Sequence, residues 1–359
     1  MQTIAVLGLG KVGGLAARLL HEGGFRTIGV DRAADPADFP FQVSGADVAD
    51  AAALRQVLSG ADAVLSCLPY ALNMGVAKVA HDLGLHYFDL TEDVATTRYI
   101  RELAATSKGV MAPQCGLAPG FVGIVGADLI GRFETCRSCR LRVGALPQHP
   151  TGMLGYAFNW SPEGVVNEYL NDCEVIEDGK HKTVSPLEWR ETLYISGLKF
   201  EAFTTSGGLG TMCETYLGTV ANLDYRTLRY PGHMDLMNFF FHELLMRERR
   251  EEAGRILVEA KPPVSDDVVY VHVSAEGHRN GRLERVEFVR RYFPIPLAGA
   301  TRTAIAWTTS ASAVAVIEMV RKGDLPGQGF LKQESIPLPR FFETRTGALF
   351  QERGRLPTD

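Results

Sequence analysis

Gly8, Gly10 and Gly13 form a G-x-G-x-x-G spacing directly after the apolar run Ile4–Leu7 and directly before a helix-patterned stretch, Val12–Glu22. A strand before and a helix after give that spacing its chemical content. Gly8 permits a tight turn, Gly10 lets backbone N–H groups approach a pyrophosphate, and Gly13 lets the helix pack on the strand with its positive end toward the phosphates. The turn through Lys11 and Val12 is therefore the expected cradle of a dinucleotide. Asp31 closes the next strand, where a carboxylate accepts hydrogen bonds from ribose hydroxyls and repels a 2′-phosphate. NAD is favoured, and NADP stays possible because the neighbouring Arg32 can neutralise a phosphate. Asp47, at the end of the polar segment that follows, is placed on the cofactor side as well.

Elements that position such a cradle follow in the sequence. A helix pattern at Ala51–Leu58 precedes an apolar strand Ala63–Leu68, a helix Leu72–Leu83, a strand Tyr87–Leu90, a helix Thr97–Ser107 and a strand Gly109–Met111, with a further helix starting at Pro119-Gly120. Alternation of this kind makes a doubly wound parallel sheet, and ligands bind such sheets beyond the carboxyl ends of the strands. Three loops then border the nicotinamide. Cys67, Leu68, Pro69 and Tyr70 follow one strand, and Thr91, Glu92 and Asp93 follow the next. Gln114 and Cys115 open the third, which reads Q-C-G-L-A-P-G, and are expected to face the substrate as well.

From Arg140 the texture changes to alternating segments such as D-V-V-Y-V-H-V-S with an Asn280-Gly281 turn, the pattern of antiparallel hairpins. A long helical run, Ala304–Val320, stops at Gly323 and Pro326. The expected fold is α/β: a Rossmann domain over residues 1–122, a second α+β domain with a largely antiparallel sheet over 123–300, and a segment 301–359 whose helix returns to the first domain.

The composition narrows the function classes. At 359 residues and 46% apolar content the chain can bury two cores, and its net charge of −5 offers no global basic field for nucleic acid. No stretch reaches the roughly 18 uninterrupted apolar residues of a membrane span, and no apolar leader precedes the first strand, so a cytoplasmic protein is expected. Six scattered cysteines suit reduced thiols. Cys136-x-x-Cys139 lacks a second pair, so no metal is expected. There is no G-x-S-x-G elbow and no phosphate-binding loop of the G-x-x-x-x-G-K type, and His242-Glu243 lacks the second histidine of a zincin.

With these motifs assembled, the chain resembles the saccharopine dehydrogenase-like family of NAD(P)-dependent amine oxidoreductases. The likeness runs through G-L-G-K-V-G, C-L-P-Y, C-G-L-A-P-G, L-G-Y-A-F-N-W-S-P-E-G and T-L-R-Y-P-G-H. It implies oxidation of an amine by hydride transfer to the nicotinamide. Ala118 stands where the saccharopine-type G-L-x-P-G loop commonly carries Asp, and Thr204–Gly210 lacks an arginine for extra carboxylates; the pattern there is similar to lysine 6-dehydrogenase. The resemblance thus implies a lysine-like substrate, with Thr204 near it, Tyr156 and Trp160 as the apolar wall around its stem, and Arg229 as the clamp on its carboxylate. For the base that neutralises the amine, His86, Glu92, Asp93 and His233 all remain open. Saccharopine itself, an opine-type reaction or a non-catalytic nucleotide sensor are the alternatives, and the apolar strands of the second domain allow a homodimer.

Overall fold

The first apolar run becomes β1 (Thr3–Leu7), whose residues from Ile4 to Leu7 are fully buried, as a strand inside a parallel sheet must be. The computed structural model describes residues 1–354. After β1 come α1 (Lys11–Glu22), β2 (Arg26–Val30), β3 (Gln42–Ser44), α2 (Ala51–Leu58), β4 (Ala63–Ser66), α3 (Tyr70–Leu83), β5 (His86–Asp89), α4 (Val94–Ala104), β6 (Val110–Ala112) and α5 (Phe121–Ile130). The sheet order β6-β5-β4-β1-β2-β3 reverses at β1, which pairs in parallel with β2 on one side and β4 on the other. A crevice opens at such a reversal, at the carboxyl ends of β1 and β4. Asp50 and Asp93 cap α2 and α4 by accepting the N–H of Ala52 and of Thr96.

The second sheet is built from β7 (Thr135–Pro147), β8 (Cys173–Glu177), β9 (Lys180–Val184), β10 (Glu191–Ile195), β11 (Leu198–Thr204), β12 (Val220–Arg229), β13 (Asp267–Arg279) and β14 (Arg282–Tyr292). Its order is β10-β11-β12-β7-β13-β14, with β8 and β9 branching from β12. Every pairing is antiparallel except β7 with β12. The β13–β14 turn sets Asn280 at φ 52° and Gly281 at φ 71°, the left-handed pair that a tight hairpin requires. Helices α6 (Pro162–Leu170), α7 (Met212–Tyr216), α8 (His233–Asn238) and α9 (Arg250–Ala260) complete this part. Its core gathers Tyr156, Phe158, Tyr169, Phe200, Phe203, Leu228 and Tyr270.

The chain divides into two compact units. One comprises Met1–Ile124, Pro296–Ala300 and Ala306–Glu352; the other is built on Val125–Ile295 and Thr301–Ile305. Beyond the short strands β15 (Ile295–Leu297) and β16 (Ala300–Arg302) runs α10 (Ala304–Lys322), two residues longer than its apolar pattern because Arg321 and Lys322 extend its last turn. Within the first unit Ser310 donates its hydroxyl to the Val12 carbonyl, and the Arg321 guanidinium lies over the Phe25 ring. Strand β17 (Gly329–Phe330) then pairs with β6 as the seventh strand of the parallel sheet.

Three local expectations change. The helix expected over Thr97–Ser107 runs from Val94 to Ala104, because Asp93 caps it three residues earlier. The polar segment before Asp47 contains β3, which lacks an apolar signature because it lies on the sheet edge with Gln42 exposed. Pro119 does not open α5: the helix starts at Phe121, and Gly120 at φ 134° brings the chain so close that a Cβ there would meet the Gly116 carbonyl oxygen at 2.0 Å.

Candidate coenzyme and substrate site

The three glycines of the first turn have three separate physical roles. Gly8 adopts φ 82°; a Cβ on Gly13 would lie 1.8 Å from the Gly8 carbonyl oxygen and 2.9 Å from Cys67 Cβ; a Cβ on Gly10 would meet nothing within 4 Å. Gly8 and Gly13 are thus required by the fold itself, whereas the space at Gly10 is open. Helix α1 begins there with no side-chain cap, so its first N–H groups and its positive end are left for an anion. A pyrophosphate fits this cradle. Lys11 is exposed beside it and Val12 half-buried.

Asp31 is engaged by backbone. Its Oδ2 accepts the Leu9 N–H at 2.7 Å and its Oδ1 accepts the Ala33 N–H at 2.8 Å, which ties the glycine turn to the end of β2. Each oxygen retains a lone pair that a ribose hydroxyl can use. Arg32 is exposed and paired with Asp47 at 3.3 Å. Asp47 therefore meets Arg32 in this structure, in a surface pair weak enough to be exchanged for a phosphate.

The loops after β4, β5 and β6 separate the residues the sequence had grouped. Pro69, exposed, is the N-cap residue of α3, which starts at Tyr70; Leu68 and Tyr70 are half-buried. The Cys67 thiol is pushed up to about 12 by burial, so it is no nucleophile. Thr91 is turned inward, its hydroxyl accepting the Asp93 N–H, and its side chain shapes the turn rather than facing a coenzyme. Asp93 Oδ2 accepts the N–H and the hydroxyl of Thr96 as the α4 cap, which gives it a structural part at the helix start. His86 begins β5, at the opposite end of the strand from the crevice, and its Nδ1 accepts the Val110 N–H; it leaves the list of bases.

Gln114 and Cys115 also take structural parts. The Gln114 side-chain amide donates to Thr97 Oγ1, and the Cys115 thiol is fully buried, donating to the Ala112 carbonyl and accepting from Gln333. Burial raises the thiol's pKa far above the ordinary range. Of the acidic residues on these loops, Glu92 is the one with the electrostatics of an acid–base group. Half-buried just beyond β5, its carboxyl is pushed up to about 7, first by burial and then by the charges of Asp93 and Asp89. Asp89, which composition alone did not single out, is wholly buried at the end of β5 and pushed up to about 6 by burial. The only cue was an acidic residue closing an apolar strand, H-Y-F-D.

In the second unit the aromatic residues enclose a cation. Arg229, at the end of β12 and 2% exposed, stacks its guanidinium over the Tyr156 ring at 4.6 Å and approaches Tyr169 at 5.7 Å. Its Nε donates to the Tyr169 hydroxyl, and its Nη1 donates to Thr227 Oγ1 and the Leu228 carbonyl. No hydrogen bond of Nη2 and no ion pair of Arg229 is found among the described residues, although, against burial, Tyr169, Tyr156 and the charge of the buried Glu168 carboxylate favour the charged guanidinium. Trp160 is half-buried, its indole N–H donating to the Tyr156 hydroxyl at 3.2 Å.

His233 lies beneath this group, hydrogen-bonded to the Tyr169 hydroxyl at 2.9 Å and the Leu154 carbonyl at 3.0 Å. Burial, with help from Arg229, lowers its pKa to about 3. A neutral imidazole with both nitrogens engaged fixes Tyr169 and takes no proton from a substrate. Thr204 is fully buried, its hydroxyl donating to the Ser185 carbonyl and accepting the Glu188 N–H, so it braces a loop rather than touching a ligand.

Known proteins align with both halves of the chain. Residues 116–354 match the saccharopine dehydrogenase C-terminal domain, and residues 4–112 match the saccharopine dehydrogenase NADP binding domain. Saccharopine dehydrogenase [NADP(+), L-glutamate-forming] of Saccharomyces cerevisiae is 32% identical over 152 residues, 39% of this chain and 32% of that enzyme. The mitochondrial alpha-aminoadipic semialdehyde synthase of Rattus norvegicus is 24% identical over 226 residues, 58% of this chain and 24% of the synthase. The matches thus span a quarter to a third of those relatives' length. Among solved structures, apo saccharopine dehydrogenase (L-Glu forming) from S. cerevisiae superposes with a TM-score of 0.74 at 17% identity, covering 98% of each chain. An engineered D-amino acid dehydrogenase bound to NADP+ gives 0.52 at 12% identity, again over 98% of each. Both share the fold. With the family's C-terminal domain matching most of its length and the NADP-binding domain nearly all the rest, the chain belongs to the saccharopine dehydrogenase family.

Proposed function

We propose that this protein is an NAD(P)-dependent dehydrogenase acting on the CH–NH or CH–NH2 group of a lysine-like amino acid. The observation that carries the substrate class is Arg229. The buried carboxylate of Glu168 favours the charged guanidinium at a distance, yet Arg229 has no carboxylate within ion-pair reach among the described residues. An anionic ligand on its free edge would add the direct partner that burial in an aromatic enclosure calls for. Buried Arg142, by contrast, is already matched by Glu191 and Asp224. With Nε and Nη1 occupied, Arg229 offers a carboxylate the two hydrogens of Nη2, an end-on grip in place of the bidentate fork that the residue type suggests.

A bound nicotinamide supplies the hydride acceptor. The protein must then deliver a neutral amine, because the nitrogen lone pair expels the hydride. For an ammonium of pKa about 10.4 this costs roughly 4–5 kcal/mol at pH 7. Glu92, whose carboxyl titrates at about 7, serves as the proton acceptor in this reading: its raised basicity narrows the gap to the ammonium. The resulting iminium is hydrolysed by water.

Saccharopine is the second candidate substrate, favoured by the named activity of the yeast relative. L-Lysine and saccharopine, each with NAD+ and NADP+, form the discriminating panel, read by absorbance of the reduced coenzyme. A larger kcat/KM for lysine supports the first reading. Preference for saccharopine replaces it with the second, and coenzyme binding without turnover of any amine refutes both.

A further inference from the structure

We propose that Asp89 is the positioning residue of the dehydrogenase site, its single buried carboxylate holding the loop that carries Glu92 and the loop that opens at Gln114 in fixed register. This rests on the dehydrogenase reading above. Asp89 is the last residue of β5 and wholly buried. One oxygen, Oδ1, accepts both the Thr91 N–H and the Gln114 N–H at 3.0 Å each; Oδ2 accepts the Tyr87 hydroxyl at 2.7 Å; the Asp89 backbone carbonyl accepts the Cys115 N–H at 2.8 Å. The Tyr87 hydroxyl also lies 3.5 Å from the Asn73 carbonyl, and Asn73 Oδ1 accepts the hydroxyl of Ser66, the last residue of β4. All three strand-end loops that border the crevice therefore converge on one buried network.

Gln114 shows that the clamp holds against a conformational cost. Its φ of 66° is a left-handed conformation that residues with a Cβ avoid, and it persists where surrounding contacts over-determine it. Those contacts are the Asp89 carboxylate on its N–H and Thr97 on its side chain. Asp89 has no cationic partner among the described residues. A neutral asparagine would keep the same three partners, its amide donating to the Tyr87 hydroxyl oxygen in place of accepting from it, so the charge has a separate consequence: with Asp93, it raises the pKa of Glu92. The other titratable groups that face Asp89 are Tyr87 on β5, Cys67 after β4 and Cys115 after β6, all held neutral by burial.

Hydrogen exchange on the full chain, NADH binding by fluorescence, and turnover of L-lysine and saccharopine test this together. Asp89→Ala should speed exchange of the Thr91 and Gln114 amides by roughly tenfold or more while leaving β1 and α1 protected. It should lower kcat by about a hundredfold through misplacement of the loops, with little change in NADH affinity. Asp89→Leu, which keeps the branched outline with two methyl groups in place of the oxygens, replaces it if the alanine variant does not fold. Asp89→Asn should preserve the amide protection yet shift the acid limb of kcat/KM to lower pH. Unchanged exchange in either loop of the alanine or leucine variant overturns the clamp, and loosened loops with undiminished kcat overturn the positioning role. A wild type that turns over neither substrate refutes the dehydrogenase reading alone, since the exchange data still judge the clamp.

Discussion

Replacing Asp89 by asparagine should make the protein more stable, and only at the pH where the aspartate is ionised. Its carboxyl titrates at about 6 in the folded protein against 3.8 for an unperturbed aspartate, because burial penalises the charge. The folded state thus binds this proton more tightly than the unfolded state does. Its contribution to stability is fully present below about pH 4 and is lost as the pH rises through 6. Roughly two pK units at about 1.36 kcal/mol each make the loss about 3 kcal/mol. Asparagine escapes it and keeps the same partners: its Oδ1 accepts both N–H groups and one amide hydrogen donates to the Tyr87 hydroxyl oxygen, whose own hydrogen turns to the Asn73 carbonyl. The second amide hydrogen goes unpaired at a cost of about 1 kcal/mol. Asp89→Asn should therefore match the wild type to within about 1 kcal/mol near pH 4 and exceed it by about 2 kcal/mol at pH 8. Of the three tryptophans, Trp160, Trp189 and Trp307, only Trp307 lies in the unit that contains Asp89. Urea unfolding followed by Trp307 fluorescence in a W160F/W189F background reads that unit directly. A stability difference that does not change with pH, or a variant less stable than wild type at pH 8, would refute the reasoning.

Glu92→Gln should abolish turnover while leaving NADH affinity intact, and the wild-type kcat/KM should rise with pH through about 7 as Glu92 loses its proton; an acid limb unmoved by the substitution would assign it elsewhere. Gly10→Val should lose coenzyme binding at an unchanged melting temperature, because its side chain enters open space at the helix end, whereas Gly13→Ala should lower the melting temperature by colliding with the Gly8 carbonyl. Fluorescence titration and thermal melts distinguish the two, and a folded Gly10→Val that still binds NADH would show the turn to be merely structural. Arg229→Lys keeps a charge but loses the stacked guanidinium, and should raise KM for L-lysine by about tenfold or more while hardly affecting an amine without a carboxylate. Equal losses on both amines would indicate a purely structural arginine.

Much of this molecule follows from one-dimensional information. The glycine spacing, the buried run Ile4–Leu7 and the alternation of apolar segments with amphipathic ones determine a doubly wound sheet, since local periodicity and backbone sterics operate within a few residues. The Asn280-Gly281 turn is legible for the same reason. Strands β3 and β17 are not, because an edge strand needs no apolar face and β17 exists only where the chain's end meets β6.

The site divides along the same line. Residue type and loop position name Glu92, Asp93, His86 and His233 equally well, and what separates them is where their polar atoms are spent. Asp93 caps a helix, His86 stands at the far end of its strand, His233 is buried between a hydroxyl and a carbonyl, and Glu92 alone keeps a carboxyl poised near neutrality. Likewise Arg229 is recognisable as a possible carboxylate clamp, yet the loss of its fork to Tyr169, Thr227 and Leu228 is visible only when β12 is placed against the aromatic cluster. Asp89 shows the limit most clearly. Burial and hydrogen-bond partners decide its chemistry, and both are properties of neighbours brought together by folding, so a carboxylate that reads as the end of a strand becomes the pin for the loops on either side of it.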